Sequence, residues 1–126
     1  MTAVVTMDMN GLKEINDNQG HAAGDTALKA LADCFWKAAR HGQRVYRIGG
    51  DEYAILCIDD PETEVHSLIE RIRQEVAKTS YTCSIGYAFR FEGSTVEKLY
   101  KLADEVLYEE KKQFYMQSGK DRRKRR

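Results

Sequence analysis

The feature of this sequence that most constrains its fold is a four-residue connection, GGDE at 49–52. The segments on either side, 44–48 and 53–58, are rich in residues that favour strands. A connection this short joins neighbouring antiparallel strands, so the two segments are predicted to form a hairpin. A hairpin turn explains the two glycines. It does not explain why two like charges, Asp51 and Glu52, follow them directly.

The rest of the chain alternates between strand-like and helix-like patterns. β-branched and apolar residues predict further strands at 3–9 and 81–89. Apolar residues at spacings of three, four and seven predict helices at 25–40 and 61–78, and a last helix that runs from residue 94 or 95 to 114.

The predicted order of elements, β-α-β-β-α-β-α, indicates the α+β class and fits a ferredoxin-like sheet with helices on one face. In that topology the third strand lies between the first two and runs antiparallel to both. The end of the first strand and the hairpin then share one edge of the sheet. Asp8 is therefore expected close to Asp51 and Glu52, and such a gathering of negative charge is costly unless a cation is present.

The segment 10–24, between the first strand and the first predicted helix, is rich in asparagine and glycine. It is predicted to form turns throughout its second half and a short helical turn at 12–15, and Asp25 is a candidate cap for the next helix. The backbone N–H groups of this loop, together with Lys13, could meet a phosphate. Asn16 and Asp25 are candidate readers of a base, because a carboxylate can accept two neighbouring N–H groups of guanine that adenine lacks.

The carboxylates at the sheet edge suggest a metal site. Carboxylate and carbonyl oxygens are hard ligands that suit magnesium or manganese, and magnesium usually bridges to substrate phosphates. Gly49 and Gly50 would let the backbone approach such a ligand without a side chain in the way. Each polar residue also fits a plainer role: Asp8 as a solvated strand end, Asp25 as a helix cap and Asn16 as a turn residue.

Length and composition bound the class of protein. A chain of 126 residues is expected to form one domain with its own core. No apolar run approaches the ~20 residues of a membrane span. The three widely spaced cysteines predict free thiols in a reducing cytoplasm. Because the end of the chain, KDRRKRR, is strongly basic, we expect residues 1–116 to form the domain and 117–126 a disordered tail.

Four stretches of the chain resemble the GGDEF family of diguanylate cyclase domains. They are MDMNGLKEINDNQGHAAGD (7–25), RIGGDEYAIL (47–56), SIGYA (84–88) and LADEVLYEEKK (102–112). They follow the order of the family and extend over nearly the whole chain. The resemblance implies a fold like the palm of nucleotidyl cyclases, with helices packed around a mostly antiparallel sheet.

The resemblance also implies an activity. Members of the family condense two GTP molecules into cyclic di-GMP and release pyrophosphate, and each of two domains that meet face to face binds one GTP. By this resemblance the chain is expected to belong to a bacterial, cytoplasmic signalling enzyme that acts as a homodimer. The full-length protein is expected to carry a sensor or regulatory domain as well.

The family's catalytic residues transfer to matching positions of this chain. The resemblance implies that Asp8, the Met9 carbonyl and Asp51 are the ligands of magnesium or manganese. Glu52 matches the second acid of the motif, close to the reacting centre. Asp8, Asp51 and Glu52 are therefore the catalytic candidates.

The substrate-binding residues transfer in the same way. The guanine readers would be Asn16 and Asp25. The groups near the phosphates would be Gly11, Leu12, Lys13 and Lys111. Tyr115 stands where the family often has an arginine, four residues after the phosphate lysine, and this difference predicts weaker nucleotide binding.

Three other departures from the family pattern concern the edges of the site. Family members usually begin one helix before the first strand, where this chain starts. Asn10 replaces the aspartate of many members and removes one charge near the metals. The family's product-inhibition motif, R-x-x-D, reads RHGQ at 40–43. Arg40 is present but Gln43 replaces the aspartate, and since glutamine cannot form the same charge-assisted pair, feedback by cyclic di-GMP is predicted to be weak or absent.

Two other functions stay open from the sequence. A catalytically weak domain that binds GTP and regulates a partner or neighbouring domain is compatible with Tyr115 and with the missing first helix. A nucleic-acid module could combine a ferredoxin-like sheet with the basic tail. Such modules stack bases on aromatic residues of their central strands. Val4, Ala54 and Leu56 supply no such platform, so no nucleic-acid partner is expected.

Overall fold

The structure is a computed structural model, and it describes residues 2–40, 42–89 and 95–118, with side chains up to residue 116. Its elements, in chain order, are β1 (Ala3–Met9), α1 (Leu12–Gln19), α2 (His21–Ala38), β2 (Gln43–Arg47), β3 (Glu52–Cys57), α3 (Glu62–Ala77), β4 (Cys83–Phe89) and α4 (Val96–Ser118). Most of the tail predicted for 117–126, and residue 94 as a possible start of the last helix, lie outside the described residues. Where the chain is described, no helix is both long and apolar enough to cross a lipid bilayer.

The four strands form one antiparallel sheet in the order β2-β3-β1-β4. The predicted topology is therefore confirmed, since β3 lies between β1 and β2 and runs antiparallel to both. The register sets Asp8 of β1 opposite Glu52 of β3 on one side and opposite Ser84 of β4 on the other. This register brings the end of β1 to the same edge of the sheet as the β2–β3 hairpin.

Helices cover both faces of the sheet. The arrangement that the resemblance implies, with helices packed around the sheet, is confirmed, whereas the expectation of helices on one face only was wrong. Alternate residues of β1, among them Val5 and Met7, belong to the main core with α2 and α3. Val4, on the opposite face, belongs to a second cluster with Leu99 and Ala103 of α4. The physical reason lies in β1 itself: a central strand buried on both faces is apolar at consecutive positions rather than at alternate ones.

The close approach of α4 to β4 depends on a glycine. A Cβ atom at Gly86 would lie 2.0 Å from the Ala103 carbonyl oxygen and 2.4 Å from the Leu107 backbone nitrogen. Thr6 Oγ1 donates to the same Ala103 carbonyl at 3.3 Å. The middle of α4 is therefore held against the sheet, and the end of the helix extends toward the end of β1.

The segment 10–24 is mostly helical. The helical turn predicted at 12–15 lies within α1, but the prediction of turns in the second half of the segment was wrong. Helix α1 occupies 12–19, and only Gly20, with a φ of 89°, separates it from α2. Leu12 and Ile15 pack against the main core, and this packing outweighs the weak helix propensity of the asparagines. Helix α2 begins at His21 with Gly20 as its N-cap, so Asp25 lies one turn inside the helix and is not its cap.

The three cysteines carry free thiols, as predicted. Cys34 and Cys57 are buried and Cys83 is half-buried. Burial raises the pKa of the Cys57 thiol to about 12 and that of Cys83 to about 12. These two thiols therefore stay protonated at neutral pH.

Candidate active site

The end of β1, the β2–β3 hairpin and the C-terminal half of α4 meet at one edge of the sheet. Asp8 pairs with Glu52 across the β1–β3 ladder, and the Met9 N–H lies 3.4 Å from the Asp51 carbonyl oxygen. The carboxylate of Asp51 is close enough to influence the titration of Asp8. The topology thus brings the three acidic residues together, as the sequence predicted.

Lys111 of α4 supplies positive charge to this cluster. Its Nζ lies 3.1 Å from Asp8 Oδ2 and donates to the Met9 carbonyl oxygen at 2.9 Å. The Asp8 carboxylate and the Met9 carbonyl are two of the three groups that the resemblance assigns to a metal ion. The ammonium group of Lys111 therefore lies between two of the groups that are expected to bind a metal ion.

The pKa and the hydrogen bonding of Asp8 indicate that Lys111 alone does not compensate for the burial of this carboxylate. Burial raises the pKa of Asp8 to about 6 although the charge of Lys111 opposes the shift, and the nearby charge of Asp51 raises it further. Asp8 Oδ1 is buried and makes no hydrogen bond. A buried carboxylate oxygen without a partner is costly, and a divalent cation would relieve that cost.

The donor set fits magnesium or manganese as part of a ligand shell. Asp8, the Met9 carbonyl and Asp51 offer hard oxygen ligands. Among the described residues, no group of three or more His, Cys, Asp or Glu side chains is arranged to hold a metal ion. Two carboxylates and a carbonyl leave coordination positions for water and phosphate, and this is how magnesium is usually bound at nucleotide sites.

Glu52 is held by a partner that sequence reasoning missed. The Tyr100 hydroxyl of α4 donates to Glu52 Oε2 at 2.7 Å. Burial raises the pKa of Glu52, and although Tyr100 opposes the shift, a hydrogen bond and the charge of Asp104 add to it. Tyr100 and Asp104 are four residues apart on α4, and this spacing places them on one helix face. It is the only feature of the sequence by which these two neighbours of Glu52 could have been identified.

The hairpin turn is closed by its own backbone and by Arg47. Arg47 donates to the Gly50 carbonyl oxygen at 2.7 Å and to that of Gly49 at 3.3 Å. Neither glycine has a positive φ, and a Cβ atom at either position would meet nothing within 4 Å. The folded chain itself therefore gives no reason for glycine here, which is consistent with a ligand that approaches the turn.

Asn16 and Asp25, the candidate base readers, lie on successive helices. Asn16 Oδ1 is buried without a hydrogen-bond partner, and a Cβ atom at Gly24 would come within 1.8 Å of it. Gly24 therefore makes room for the Asn16 side chain. The neighbouring Asp25 is exposed. Its carboxylate does not cap α2, so the capping role that the sequence also allowed does not explain this residue.

The candidate phosphate loop joins β1 to α1. Gly11 has a φ of 74° and stands at the N-cap of α1 without a side-chain cap. Its N–H donates to the hydroxyl oxygen of Tyr115 at 3.1 Å. Leu12 is half-buried and Lys13 is exposed in the first turn of α1. Lys111 joins this region through its bond to the Met9 carbonyl.

Asn10, which replaces an aspartate of many family members, links β1 to β4. It is buried, its N–H donates to the Thr82 carbonyl at 3.0 Å, and its Oδ1 accepts from Ser84 Oγ at 2.9 Å. The amide side chain thus has a structural partner next to the acidic cluster and adds no charge to it.

Gln43, at the position of the missing inhibitory aspartate, is a buried structural residue. Its Oε1 accepts from the Arg40 N–H at 2.8 Å. Its Nε2 donates to Asp60 at 3.0 Å and to Glu64 at 2.9 Å, and Arg71 also donates to Glu64. The amide of Gln43 is therefore engaged inside the domain on both sides, whereas Arg40 is exposed.

Comparisons with known proteins agree with this architecture. The family model described as diguanylate cyclase, GGDEF domain, matches residues 1–117. Diguanylate cyclase DgcM of Escherichia coli strain K12 is 37% identical in an alignment of 115 residues that covers 86% of this chain and 28% of DgcM. Diguanylate cyclase DosC of the same strain is 35% identical in an alignment of 116 residues that covers 84% of this chain and 25% of DosC. The chain thus spans about a quarter of the length of these curated relatives.

Solved structures show the same fold. Diguanylate cyclase SiaD of Pseudomonas aeruginosa, in complex with its activator SiaC, superposes with a TM-score of 0.84 at 25% identity over 89% of this chain and 46% of SiaD. The GGDEF domain of DgcB from Caulobacter crescentus, in complex with c-di-GMP, gives a TM-score of 0.83 at 26% identity over 88% of this chain and 72% of that domain.

Proposed function

This chain belongs to the GGDEF family of diguanylate cyclase domains, and we propose that it condenses two molecules of GTP into cyclic di-GMP and releases pyrophosphate. The observation that carries the proposal is the state of Asp8. Its buried Oδ1 has no partner, and a lysine ammonium occupies the point where Asp8 and the Met9 carbonyl converge. Such a site is built for a cation that arrives with an anionic substrate.

Asp8, the Met9 carbonyl and Asp51 would hold two divalent ions, magnesium or manganese, together with the triphosphate. Bound there, the ions would lower the pKa of a 3′-hydroxyl and offset the charge that develops on the leaving pyrophosphate. The bond that forms joins the 3′-oxygen of one GTP to the α-phosphorus of the other, and the bond that breaks releases pyrophosphate. The same exchange in the opposite direction closes the ring.

The chain's own groups supply positioning and charge. Lys111 and the Gly11–Lys13 backbone would contact the phosphates, where positive charge and N–H donors stabilise the transition state. Glu52 lies beside Asp8 in the register, and burial raises its pKa. A carboxylate whose pKa is shifted toward neutral is a suitable acceptor for the proton that the 3′-hydroxyl loses.

The base would be selected by Asn16 and Asp25. Asp25 can accept the two neighbouring N–H groups of guanine, whereas adenine would leave the carboxylate unpaired. The unpartnered Oδ1 of Asn16 supports this assignment, because a buried amide oxygen without a donor is costly in the ligand-free domain. Preference for GTP over ATP would follow from these two side chains.

Two copies of the domain are required by the chemistry. Each domain offers one nucleotide site, and the product contains two nucleotides joined by two new bonds. We therefore propose a homodimer in which the sites face each other. A sensor or regulatory domain in the full-length protein would control the formation of this dimer. The protein would work in the cytoplasm, where GTP is supplied.

The test is incubation of the protein with GTP and magnesium, with nucleotides resolved by chromatography. Wild-type protein should form cyclic di-GMP, and Asp51→Ala should abolish it. Asp33→Ala, which removes an exposed carboxylate of α2, is the matched control and should retain the activity. Turnover that is unchanged in Asp51→Ala would sink the assignment.

A second candidate is a catalytically weak domain that binds GTP and regulates a partner or neighbouring domain. The contact of Tyr115 with the Gly11 N–H favours it, because that N–H belongs to the candidate phosphate loop. The same incubation separates the two functions. Magnesium-dependent GTP binding that is lost in Asp25→Ala, without any product, would favour the regulatory function.

A further inference from the structure

Two side chains of α4, one helical turn apart, contact the loop where β1 ends. Lys111 donates to the Met9 carbonyl at 2.9 Å and lies 3.1 Å from Asp8. Tyr115, four residues further along, accepts a hydrogen bond from the Gly11 N–H at 3.1 Å. Residues four apart lie on one face of a helix, so the same face of α4 covers both the candidate metal ligands and the candidate phosphate loop.

The end of α4 is anchored in this position by Glu110. Its carboxylate accepts a hydrogen bond from the Ile85 N–H of β4 and forms an ion pair with Arg73 of α3 at 3.0 Å. Two elements other than the loop itself therefore hold Lys111 and Tyr115 at the site. The contacts of Lys111 and Tyr115 with the loop therefore follow from the fixed position of α4 in the fold.

The two contacts resemble those that a metal ion and its bound phosphate would make with the same groups. An ammonium group presents positive charge to a carboxylate and a carbonyl, as a metal ion would. A phenol oxygen accepts from a loop N–H, as a phosphate oxygen would. The phenol is neutral, however, so the N–H would form a stronger, charge-assisted bond with a phosphate than with Tyr115.

We propose that Tyr115 sets the nucleotide affinity of this domain by occupying the Gly11 N–H until a phosphate displaces it. The inference rests on the proposed function, because it takes the loop after β1 as the phosphate site. Since a neutral hydrogen bond of ordinary strength corresponds to roughly a fivefold change in a binding constant, the displaced bond lowers affinity by about that factor. Tyr115 is thus a competitor of the ligand and not one of its contacts.

The experiment compares wild type with Tyr115→Phe, which removes one oxygen and keeps the ring. Calorimetric titration with magnesium GTP and, separately, with magnesium pyrophosphate should give roughly fivefold tighter binding of each ligand in the variant. Tyr108→Phe removes the same atom from an exposed tyrosine of α4 and should leave both affinities unchanged. Thermal unfolding of each variant checks that the fold is retained.

The outcomes separate this inference from the proposed function. Tighter pyrophosphate binding in Tyr115→Phe, with no GTP binding in either protein, would leave the role of Tyr115 intact and refute the cyclase assignment. Unchanged or weaker binding in Tyr115→Phe would overturn the inference, since the hydroxyl would then be neutral or a direct contact. Absence of any binding in both proteins would overturn it as well, because the loop would not be an anion site.

A second measurement needs no variant. In nuclear magnetic resonance spectra of the wild-type protein, the Gly11 amide and the Tyr115 ring should shift together as magnesium pyrophosphate is added. A Gly11 amide that shifts while the Tyr115 ring stays unchanged would show that phosphate reaches the loop without displacing the tyrosine. That result would contradict the inference even if Tyr115→Phe failed to fold.

Discussion

At the scale of single residues, the proposed role of Asp8 as a metal ligand and its effect on stability oppose each other. Its side chain is half-buried, its buried Oδ1 has no hydrogen-bond partner, and its pKa is raised to about 6. A residue selected only for stability would not be an acid at this point. The cost is understandable if the charge is needed for a cation that joins the folded domain only with its substrate.

The raised pKa of Asp8 should make the stability of the metal-free domain depend on pH. The ordinary pKa of 3.8 rises to about 6 on folding, so between about pH 4 and pH 6 the folded state binds more protons than the unfolded state. The contribution of Asp8 to the free energy of unfolding therefore falls as pH rises through that window, and it is constant above it. Asp8→Asn should be more stable than wild type at pH 7, on the order of 1–2 kcal/mol.

Urea unfolding of both proteins in the presence of a chelator, at pH 4 and at pH 7, measures this effect. The advantage of Asp8→Asn over wild type should be larger at pH 7 than at pH 4. An advantage that is equal at the two pH values, or larger at pH 4, would mean that the Asp8 charge is well accommodated without a metal ion.

Some contacts of the candidate site could be predicted from the sequence, and others could not. The acidic cluster could be predicted because the hairpin and the strand order bring Asp8, Asp51 and Glu52 to one edge. The contact between Tyr115 and Gly11 could not be predicted, because the residues are 104 positions apart and nothing in either neighbourhood signals the other. The same holds for Tyr100, whose bond to Glu52 depends on how α4 crosses the sheet.

At the scale of elements, the strands were easier to predict than the first two helices. Strands β1 to β4 begin and end close to their predicted limits because β-branched and apolar runs mark them directly. Helices α1 and α2 are separated by Gly20 alone, and local asparagine and glycine content indicates turns. Packing of Leu12 and Ile15 against the core decides in favour of helix, and this packing is a tertiary effect that a local pattern does not contain.

Gly86 and Gly50 should differ strongly in how much the same substitution, glycine to alanine, changes the stability of the domain. Gly86→Ala would force a methyl group against the α4 backbone, and such overpacking against atoms that cannot rotate away should cost ~2 kcal/mol or more. Gly50→Ala places its methyl group in open space, so its free energy of unfolding should stay within about 0.5 kcal/mol of wild type.

Urea unfolding of the two alanine variants tests this contrast, and GTP titration of Gly50→Ala tests why the turn keeps its glycine. We expect Gly50→Ala to be folded but to bind magnesium GTP more weakly than wild type. A destabilised Gly50→Ala would show instead that the turn needs glycine for its own conformation.

At the scale of the whole molecule, the fold explains why product feedback should differ from the family pattern. Gln43 is committed to Arg40, Asp60 and Glu64 inside the domain. Its neutral amide cannot replace an exposed carboxylate as a partner for a ligand. Cyclic di-GMP should therefore bind weakly or not at all at the Arg40 position.

Calorimetric titration with cyclic di-GMP measures this directly. We expect no tight binding in wild type and no difference in Arg40→Ala. Tight binding that disappears in Arg40→Ala would contradict the prediction and would show that a site forms there without the aspartate.

The proposed reaction requires two copies of this domain to join two GTP molecules at the Asp8–Asp51 edge. The most direct measurement is the rate of cyclic di-GMP formation per domain as the protein concentration is raised at saturating GTP and magnesium. We expect this rate to increase with concentration until dimers form fully, and we expect no product from Asp51→Ala at any concentration. No product from wild type at the highest concentration, or a rate per domain that is independent of concentration for a monomeric protein, would contradict the proposed reaction.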